Sequence, residues 1–375
     1  IKSLGEGGPP PFLLKERKSM ADKLQDFINK MNKKLKKNYG DANVVFHGND
    51  VGNFIPLATG FPTLDWLNSG IGGLPRGGIT LVKGLESTGK SSLILETIEY
   101  NMKIDPNFNA FYVDVENSLT DDFLKFKSVD RSRLVTTSLN NEDALIQIEE
   151  ALKDNVFDII VFDSIAKWES QVVMDKNIDE SVQRGLRAKR ISEFLRRISF
   201  ILRQSKTAFV MVNQLIQNQD GGPYAPKHIL PGGMQQKYSA NLILDLKRVK
   251  SLKDNGKHIG YRMQVLSEKN KIAPNEKVAA ELVYLFGRGF VREYSVLDYL
   301  VAIGEVKKMA MGRHEFVKKE LYPSTFRVGE IQNILNSIKE NFQIDFTSMK
   351  PPIDATIVKV EDDEEKPDVE EEVEV

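Results

Sequence analysis

Short apolar segments alternate with helical patterns between residues 52 and 285. The apolar segments have the length of buried strands and are rich in Val, Ile, Leu and Phe. They are GITLVKG (78–84), NAFYVDVEN (109–117), FDIIVFDS (157–164), TAFVMVNQ (207–214), ANLILDLKRV (240–249), YRMQVLSEKNK (261–271) and AAELVYLF (279–286). Strands separated by helices predict an α/β fold with a largely parallel central sheet flanked by helices. Ligands of such sheets bind beyond the carboxyl ends of the strands, so residues at those ends are candidates for a site.

The chain ahead of this region predicts a separate helix. Residues 13–38 form a basic amphipathic pattern, in which Leu24, Phe27, Ile28 and Met31 share one face. Such a helix docks on a neighbouring subunit or packs on its own domain; we assign it to oligomerisation. Four regions follow from the pattern: a lead and oligomerisation helix at 1–50, the core at 51–287, a small mixed C-terminal domain at 288–355, and a disordered acidic tail at 356–375.

Composition excludes several classes of site. The 375 residues include no cysteine, which rules out disulfides and thiolate metal sites and is typical of a cytoplasmic protein. The sequence has no apolar segment as long as a membrane span and no secretory signal pattern. We therefore expect no association with a membrane.

Charge is distributed unevenly along the chain. The net charge is −1, yet residues 361–375 carry a net −9, which leaves the preceding residues at +8. A basic body with an acidic tail predicts a polyanionic partner with which the tail competes. A solvated tail that only aids solubility is the alternative.

The segment GLESTGKSS fits the phosphate-binding pattern G-x-x-x-x-G-K-[ST] and lies between a predicted strand and a predicted helix. Glycines in such a loop let backbone N–H groups close on phosphate oxygens, and the helix N-terminus favours negative charge. Lys90 is the candidate to neutralise the β- and γ-phosphates of a nucleotide, and Ser91 is a candidate Mg²⁺ ligand. The predicted nucleotide-binding residues of the loop are Gly84, Leu85, Glu86, Ser87, Thr88, Gly89, Lys90, Ser91 and Ser92.

Polar side chains lie at the ends of three further predicted strands. Asp163 is placed to meet Mg²⁺ or its water, or alternatively to cap the next helix. Glu116 is placed to polarise an attacking water, or alternatively is a surface residue of a turn. Asn213 and Gln214 can hydrogen-bond a γ-phosphate, or else satisfy the backbone of the following loop.

The order of these motifs resembles that of the RecA-type recombinases, the ATP-dependent strand-exchange proteins of bacteria and their phages, over roughly residues 30–300. GGLPRGGITLVKGLESTGKSS resembles the family's first strand and phosphate loop, VDVENSLTDDF its catalytic-glutamate segment, IIVFDSIA its Mg²⁺ strand and NQ its γ-phosphate sensor. The resemblance implies that Glu116 activates water and that Gln214 senses the γ-phosphate. It also implies that Thr120 and Phe123 contact the adenine.

Two further segments, EKNKIAP and GGMQQKYSA, resemble parts of the family that reach the ATP of the adjacent subunit. The resemblance implies this role for Lys237, Lys269 and Lys271, with ATP bound between the subunits of a helical filament. The loops at 169–185 and 215–233 differ from the bacterial sequences, as does the C-terminal domain, which favours a phage-encoded member.

Two segments predict nucleic-acid binding from their residues alone. In LRAKRISEFLRRISFILRQ, one helical face is apolar, and Lys189, Arg196 and Arg203 recur every seven residues on the opposite side. Such a cationic ridge suits a phosphate backbone, although a solvated helix surface is the alternative. Residues 215–233 are rich in Gly and Pro, and long irregular segments are often functional. Here Lys227 adds charge, and Gly232–Gly233 offers backbone N–H groups.

These features predict a DNA-dependent ATPase that uses ATP and Mg²⁺, polymerises on single-stranded DNA and promotes strand exchange in recombination and repair. Its expected partners are single-stranded DNA, homologous double-stranded DNA, further copies of the chain, and mediator or single-strand-binding proteins. The expected setting is the cytoplasm of a bacterium or of a phage-infected host. Two alternatives stay open: a ring-forming DNA motor of the same core fold, and a non-catalytic regulator switched by ATP.

Overall fold

The computed structural model describes residues 24–34, 36, 54–171, 180–218, 225–273, 277–338 and 369–372. The chain divides into two compact units, residues 1–53 and 54–375. Within the first unit, helix α1 covers residues 24–34. On its predicted apolar face Ile28 is buried, whereas Leu24 and Phe27 are each 56% exposed. The other residues of the predicted helix, except Lys36, lie outside the described part of the chain.

Sixteen strands occur in the described part of the second unit. In chain order they are β1 (Ile55–Leu57), β2 (Leu74–Arg76), β3 (Ile79–Gly84), β4 (Ala110–Asp114), β5 (Leu134–Thr137), β6 (Ile159–Asp163), β7 (Ala208–Gln214), β8 (Ile216–Gln217), β9 (His228–Ile229), β10 (Leu242–Asp254), β11 (Lys257–Asn270), β12 (Ala279–Leu285), β13 (Gly289–Phe290), β14 (Val306–Lys308), β15 (His314–Phe316) and β16 (Val369–Glu372).

The main sheet runs in the order β13-β12-β11-β10-β3-β7-β6-β4-β5, and β16 pairs with β10. The strands from β10 to β5 are parallel to one another, whereas β11, β12 and β13 extend the sheet in antiparallel fashion. Every residue of β3, β4 and β6 is buried. Strands covered on both faces have near-continuous apolar sequences, which explains why the sequence pattern located them. The predicted α/β fold is confirmed.

The helices in the described part of the second unit cover both faces of the sheet. They are α2 (Lys90–Ile104), α3 (Asp121–Phe126), α4 (Glu142–Asp154), α5 (Glu180–Gln204), α6 (Gln235–Ser239), α7 (Arg292–Ala302) and α8 (Ile331–Ile338), with a π-helical turn at Thr63–Asn68. Val82 and Tyr112 belong to the same apolar cluster as α2, while their neighbours Leu81 and Phe111 belong to the cluster of α4 and α5. Successive residues of a strand point to opposite faces, so α2 lies on one side and α4 and α5 on the other.

A third apolar cluster joins α7, β14, β15 and α8. Its buried residues include Leu300, Phe316 and Ile334. This small mixed region lies within the predicted C-terminal domain, residues 288–355, whose existence as a separate domain stays a prediction.

Within the predicted acidic tail, Val369–Glu372 form β16, which lies parallel to Lys250–Lys253 of β10. Disorder of the tail as a whole stays a prediction. Strand β3 pairs with β10 only over Leu242–Leu246. The second half of β10 therefore offers unpaired backbone groups on that side, and a further strand can satisfy them. The other tail residues lie outside the described part of the chain.

Asp65 is a buried carboxyl group in the π-helical turn, and its Oδ1 accepts hydrogen bonds from the backbone N–H and the hydroxyl of Thr59, at 2.9 and 2.7 Å. Burial raises its pKa to about 7, although the bonds from Thr59 lower it. Because this pKa lies above the unfolded value of about 3.9, the folded state holds the proton more tightly. Stability from this group is therefore lost as pH rises from about 4 through about 7.

We expect Asp65→Asn, which keeps an oxygen acceptor for Thr59, to remove this contribution of up to about 1.4 kcal/mol per pH unit between about pH 5 and 7. The measurement is the free energy of unfolding against pH. Asp122→Asn is the control, because Asp122 is 98% exposed. Equal pH slopes for the wild type and Asp65→Asn would contradict the assignment.

Candidate functional site

A cleft of about 440 Å³ lies at the carboxyl ends of β3, β4, β6 and β7. Most of the side chains predicted from separate motifs meet in it. Its lining residues are Glu86, Ser87, Thr88, Gly89, Lys90, Ser91, Ser92, Glu116, Ser118, Phe123, Asp163, Lys167 and Gln214. Gly84 and Leu85 complete the loop between β3 and α2 that forms one wall.

The phosphate-binding loop turns into α2 at Gly89, which has a φ of 78°. This left-handed conformation favours glycine because a Cβ atom would be strained there. Helix α2 begins at the next residue, Lys90, so the free backbone N–H groups of its first turn lie beside the loop. This is the geometry of an anion site at a helix N-terminus.

The ammonium group of Lys90 is folded onto its own loop, where it donates to the carbonyl oxygens of Leu85 at 2.6 Å and Gly84 at 3.3 Å. Burial lowers the pKa of Lys90, while the nearby carboxylates of Asp163 and Glu116 act in the opposite direction. A phosphate group would give this cation a full counter-charge in place of neutral carbonyl dipoles.

Ser91 and Asp163 are in direct contact, as the Ser91 hydroxyl donates to Asp163 Oδ2 at 2.6 Å. The Tyr112 hydroxyl donates to the same carboxylate oxygen at 2.5 Å. Burial raises the pKa of Asp163 to about 6, assisted by the charges of Glu116 and Asp114 and opposed by these two hydrogen bonds. A cation beside Asp163 would stabilise the negative charge of its buried carboxylate.

Glu116 and Gln214 face the cleft from two other strand ends. The Ser164 hydroxyl donates to Glu116 Oε1 at 2.5 Å and so orients the carboxylate. The Gln214 backbone N–H donates to Asn213 Oδ1 at 2.9 Å, and the Asn213 side chain in turn donates to Gln236 Oε1 at 2.7 Å. The predicted sensor is thereby connected to α6.

The predicted adenine contacts lie at the start of α3. Thr120 caps this helix by accepting a hydrogen bond from the Phe123 backbone N–H at 3.2 Å. Beneath the half-buried Phe123, the buried Lys127 ammonium lies 6.0 Å from the ring centroid and 2.5 Å from Glu96 Oε1. These contacts link the predicted base site to α2.

Lys237, Lys269 and Lys271 do not line the cleft of their own chain. Lys237 pairs with Glu268 at 3.0 Å, and Lys269 donates to the carbonyl oxygens of Lys237 and Tyr238. Lys271 is exposed at the end of β11. Their predicted action on a neighbouring subunit is consistent with this separation and stays a prediction.

The predicted cationic ridge lies on α5. Lys189, Arg196 and Arg203 are exposed, and the opposite face of the helix is buried against the sheet. Arg203 also stacks on Phe54, with 4.7 Å between its guanidinium carbon and the ring centroid. The three cations are therefore exposed on a helix whose apolar face packs against the sheet.

The segment after β7 contains more structure than its composition predicts, because β8 and β9 pair at its base. Lys227 is exposed, while residues 219–224 lie outside the described part. Gly232 and Gly233 have φ values of 84° and 81°. A Cβ atom on Gly232 would lie 2.5 Å from Ile165 Cγ2, so close packing already requires glycine there. Phosphate binding by these two glycines stays a prediction.

Several residues of the site were not among those predicted from the sequence. Lys167 lines the cleft, and the Arg248 guanidinium donates to the carbonyl oxygen of Ser87 in the phosphate loop. Tyr112 and Ser164 orient Asp163 and Glu116. Ser164 follows Asp163 directly, which is a usable signal, but nothing local distinguishes Arg248 from the other cations of β10.

Comparison with known proteins places this geometry in a family. The family described as the RecA N-terminal domain matches residues 26–291. Protein RecA of Streptomyces venezuelae is 34% identical over 253 residues, which are 67% of this chain and 65% of that protein. Protein RecA of Chloroherpeton thalassium is 31% identical over 295 residues, 78% of this chain and 81% of that protein. A solved structure described as the RadB recombinase is 21% identical, with a TM-score of 0.45 over 62% of this chain and 98% of that one.

The matched region spans just under two thirds of the Streptomyces protein, 65% of its length. The family match includes the phosphate loop, the strand ends that carry Glu116, Asp163 and Gln214, and the segment of Lys269 and Lys271. On this evidence the chain belongs to the RecA family.

Proposed function

We propose that the chain is a DNA-dependent ATPase that polymerises on single-stranded DNA and promotes its pairing and strand exchange with a homologous duplex, in recombination and repair. One observation carries the proposal: the hydroxyl of Ser91 lies 2.6 Å from the carboxylate of Asp163, in the cleft that also holds Lys90, Glu116 and Gln214. These are the functional groups that phosphoryl transfer to water requires.

The residues present fit Mg²⁺. Ser91 and Asp163 offer two adjacent oxygens, and Mg²⁺ typically takes few protein ligands and completes its shell with water and substrate phosphates. The described residues contain no larger cluster of acidic or histidine ligands. When bound, the ion neutralises charge on the β- and γ-phosphates.

The remaining steps belong to the side chains of the cleft. Lys90 exchanges its carbonyl partners for phosphate oxygens, and Phe123 and Thr120 bind the adenine. Glu116, oriented by Ser164, accepts a proton from the attacking water. Gln214 hydrogen-bonds the γ-phosphate and loses that partner on hydrolysis. Because Asn213 is bonded to Gln236, the loss is transmitted to α6 and to the loop of Lys227, Gly232 and Gly233.

Assembly requires a second copy of the chain. Lys237, Lys269 and Lys271 lie outside the cleft of their own subunit, as expected if they complete the ATP site of the next one. On α1, the exposure of Leu24 and Phe27 supports docking on a neighbour. DNA binds the ridge of α5 and the loop after β7, with mediator or single-strand-binding proteins as further partners.

The setting is the cytoplasm, of a bacterium or of a phage-infected host. None of the described helices combines the length and the apolar character that a membrane span requires. Phage origin stays a prediction that rests on the divergent loops.

A DNA-stimulated ATPase assay tests the proposal, combined with electron microscopy on single-stranded DNA and a non-hydrolysable ATP analogue. We expect open helical filaments and hydrolysis that depends on DNA. Closed rings would favour the ring-forming motor instead. ATP binding without hydrolysis would favour a regulator.

Lys269→Ala and Lys271→Ala are each expected to weaken ATP-dependent assembly by about tenfold or more, because a charge-assisted hydrogen bond contributes about 1.5–3 kcal/mol. Light scattering on single-stranded DNA measures assembly, and unchanged thermal unfolding shows that the subunit is intact. Lys257→Ala is the matched control, because Lys257 is an exposed lysine at the far end of β11. Normal assembly by both variants would show that the neighbouring site is completed elsewhere.

A further inference from the structure

A buried ion network lies next to the phosphate loop and was not indicated by any motif. Lys83, the residue before Gly84, is buried, and its ammonium lies 2.7 Å from Asp245 Oδ2 and 2.6 Å from Glu268 Oε2. The second oxygen of Glu268 lies 3.0 Å from the ammonium of Lys237. Glu268 therefore bridges two lysines, one beside the nucleotide loop and one among the predicted cross-subunit residues.

The two carboxylates of this network have different exposure and different partners. Asp245 is buried and lies opposite Lys83 in the register of β3 and β10. Glu268 is one-third exposed, and it alone contacts Lys237. Because Lys83 pairs with both carboxylates, Asp245 remains its partner when Glu268 changes its contact with Lys237.

The charges of the network are mutually stabilised. Burial by itself would raise the pKa of Glu268, but Lys83 and Lys237 outweigh it and lower the pKa. Burial would likewise lower the pKa of Lys83, but Asp245 and Glu268 outweigh it and raise the pKa. Glu268 and Lys83 therefore keep their charges at neutral pH, and Glu268 forms an ion pair with Lys237 as well as with Lys83.

The positive charge of Lys237 is therefore already balanced by Glu268 of the same subunit. To bind a phosphate of the neighbouring subunit, it must exchange the Glu268 carboxylate for that phosphate. Lys269 donates to the carbonyl oxygens of Lys237 and Tyr238, which are neutral partners. The charged competitor in the free subunit is Glu268.

We propose that Glu268 restrains assembly by competing with the γ-phosphate of the adjacent subunit for Lys237. The inference rests on the proposed function, in which Lys237 reaches the ATP of its neighbour. The restraint makes assembly depend on a ligand charged strongly enough to displace a carboxylate. Without the Glu268 carboxylate, Lys237 could attract any polyanion.

Glu268→Gln tests the inference, because glutamine retains an oxygen for Lys83 but not the charge that holds Lys237. We expect assembly on single-stranded DNA with a non-hydrolysable ATP analogue to be half-maximal at a roughly 1.5- to 5-fold lower protein concentration, which is the range that the free energy of a partly exposed ion pair corresponds to. The gain should vanish when Lys237→Gln is also present, as in a double-mutant cycle.

Asp245→Asn is the matched control. Asp245 pairs with the same Lys83 but does not contact Lys237, so its removal should not strengthen assembly. Thermal unfolding of every variant separates a loss of folding from a change in assembly.

A purely structural role for Glu268 predicts the opposite sign, since removing it would weaken assembly. Unchanged or weaker assembly by Glu268→Gln, or a gain that persists without Lys237, would overturn the inference while the wild type still assembles. If the wild type itself fails to assemble with the ATP analogue, the proposed function fails first, and the inference fails with it.

Discussion

Lys90→Ala is expected to lower kcat/KM for ATP hydrolysis by about 10²–10⁴-fold. The ammonium would make two charge-assisted hydrogen bonds to phosphate oxygens, each contributing about 1.5–3 kcal/mol. In the structure this group donates to neutral oxygens of its own loop, the carbonyls of Gly84 and Leu85 and the hydroxyl of Thr88, and burial lowers its pKa. Its removal should therefore leave thermal stability unchanged. Phosphate release measures the hydrolysis.

Lys103→Ala is the matched control for this experiment. Lys103 lies in the last turn of the same helix, where it is exposed and pairs with Glu99. We expect it to retain wild-type hydrolysis. Substantial turnover by Lys90→Ala would exclude this lysine from phosphate binding.

Glu116→Gln is expected to keep ATP affinity and to slow turnover by about 10²–10⁴-fold, the range for loss of a general base. Glutamine keeps an oxygen that can accept the Ser164 hydrogen bond, so the position of the side chain is retained while its basicity is lost. Calorimetry gives the affinity, and single-turnover hydrolysis gives the chemical step.

Ser164→Ala separates the positioning of Glu116 from its chemistry. Losing one hydrogen bond of about 0.5–1.5 kcal/mol should reduce turnover only about 2- to 12-fold. Wild-type turnover by Glu116→Gln would remove this carboxylate from the mechanism. Equal losses in both variants would assign the effect of Glu116 to geometry alone.

The strands that the sequence predicted are those whose burial makes them continuously apolar. β3, β4 and β6 are buried at every residue, so their sequences differ sharply from the helices around them. β5 was missed because it is a four-residue edge strand, LVTT, with two exposed residues. β16 was missed because its acidic residues are typical of a solvated tail, and only the open side of β10 explains its pairing.

Some residues of the site could also be predicted from the sequence, and others could not. The phosphate loop, Asp163 and Glu116 were predictable because the ends of parallel strands meet at one edge of a sheet. Tyr112 was not, since its sequence position is that of any core aromatic, yet its hydroxyl reaches Asp163. Arg248 was not predictable either, because β10 carries several cations and nothing in its sequence marks Arg248 as the one that donates to the loop carbonyl of Ser87.

The local features could be read from the amino-acid sequence: the alternation of strands and helices, the loop that ends at Gly89 and the cationic ridge of α5. Each depends on residues near one another in the chain, through periodicity or backbone conformation. The pairing of distant groups is visible only in the folded chain. Lys83 and Glu268 are 185 positions apart in the sequence but 2.6 Å apart in the fold. A buried charge needs a partner of opposite charge. Which residue provides it depends on how the strands pair, and neither segment alone specifies that pairing.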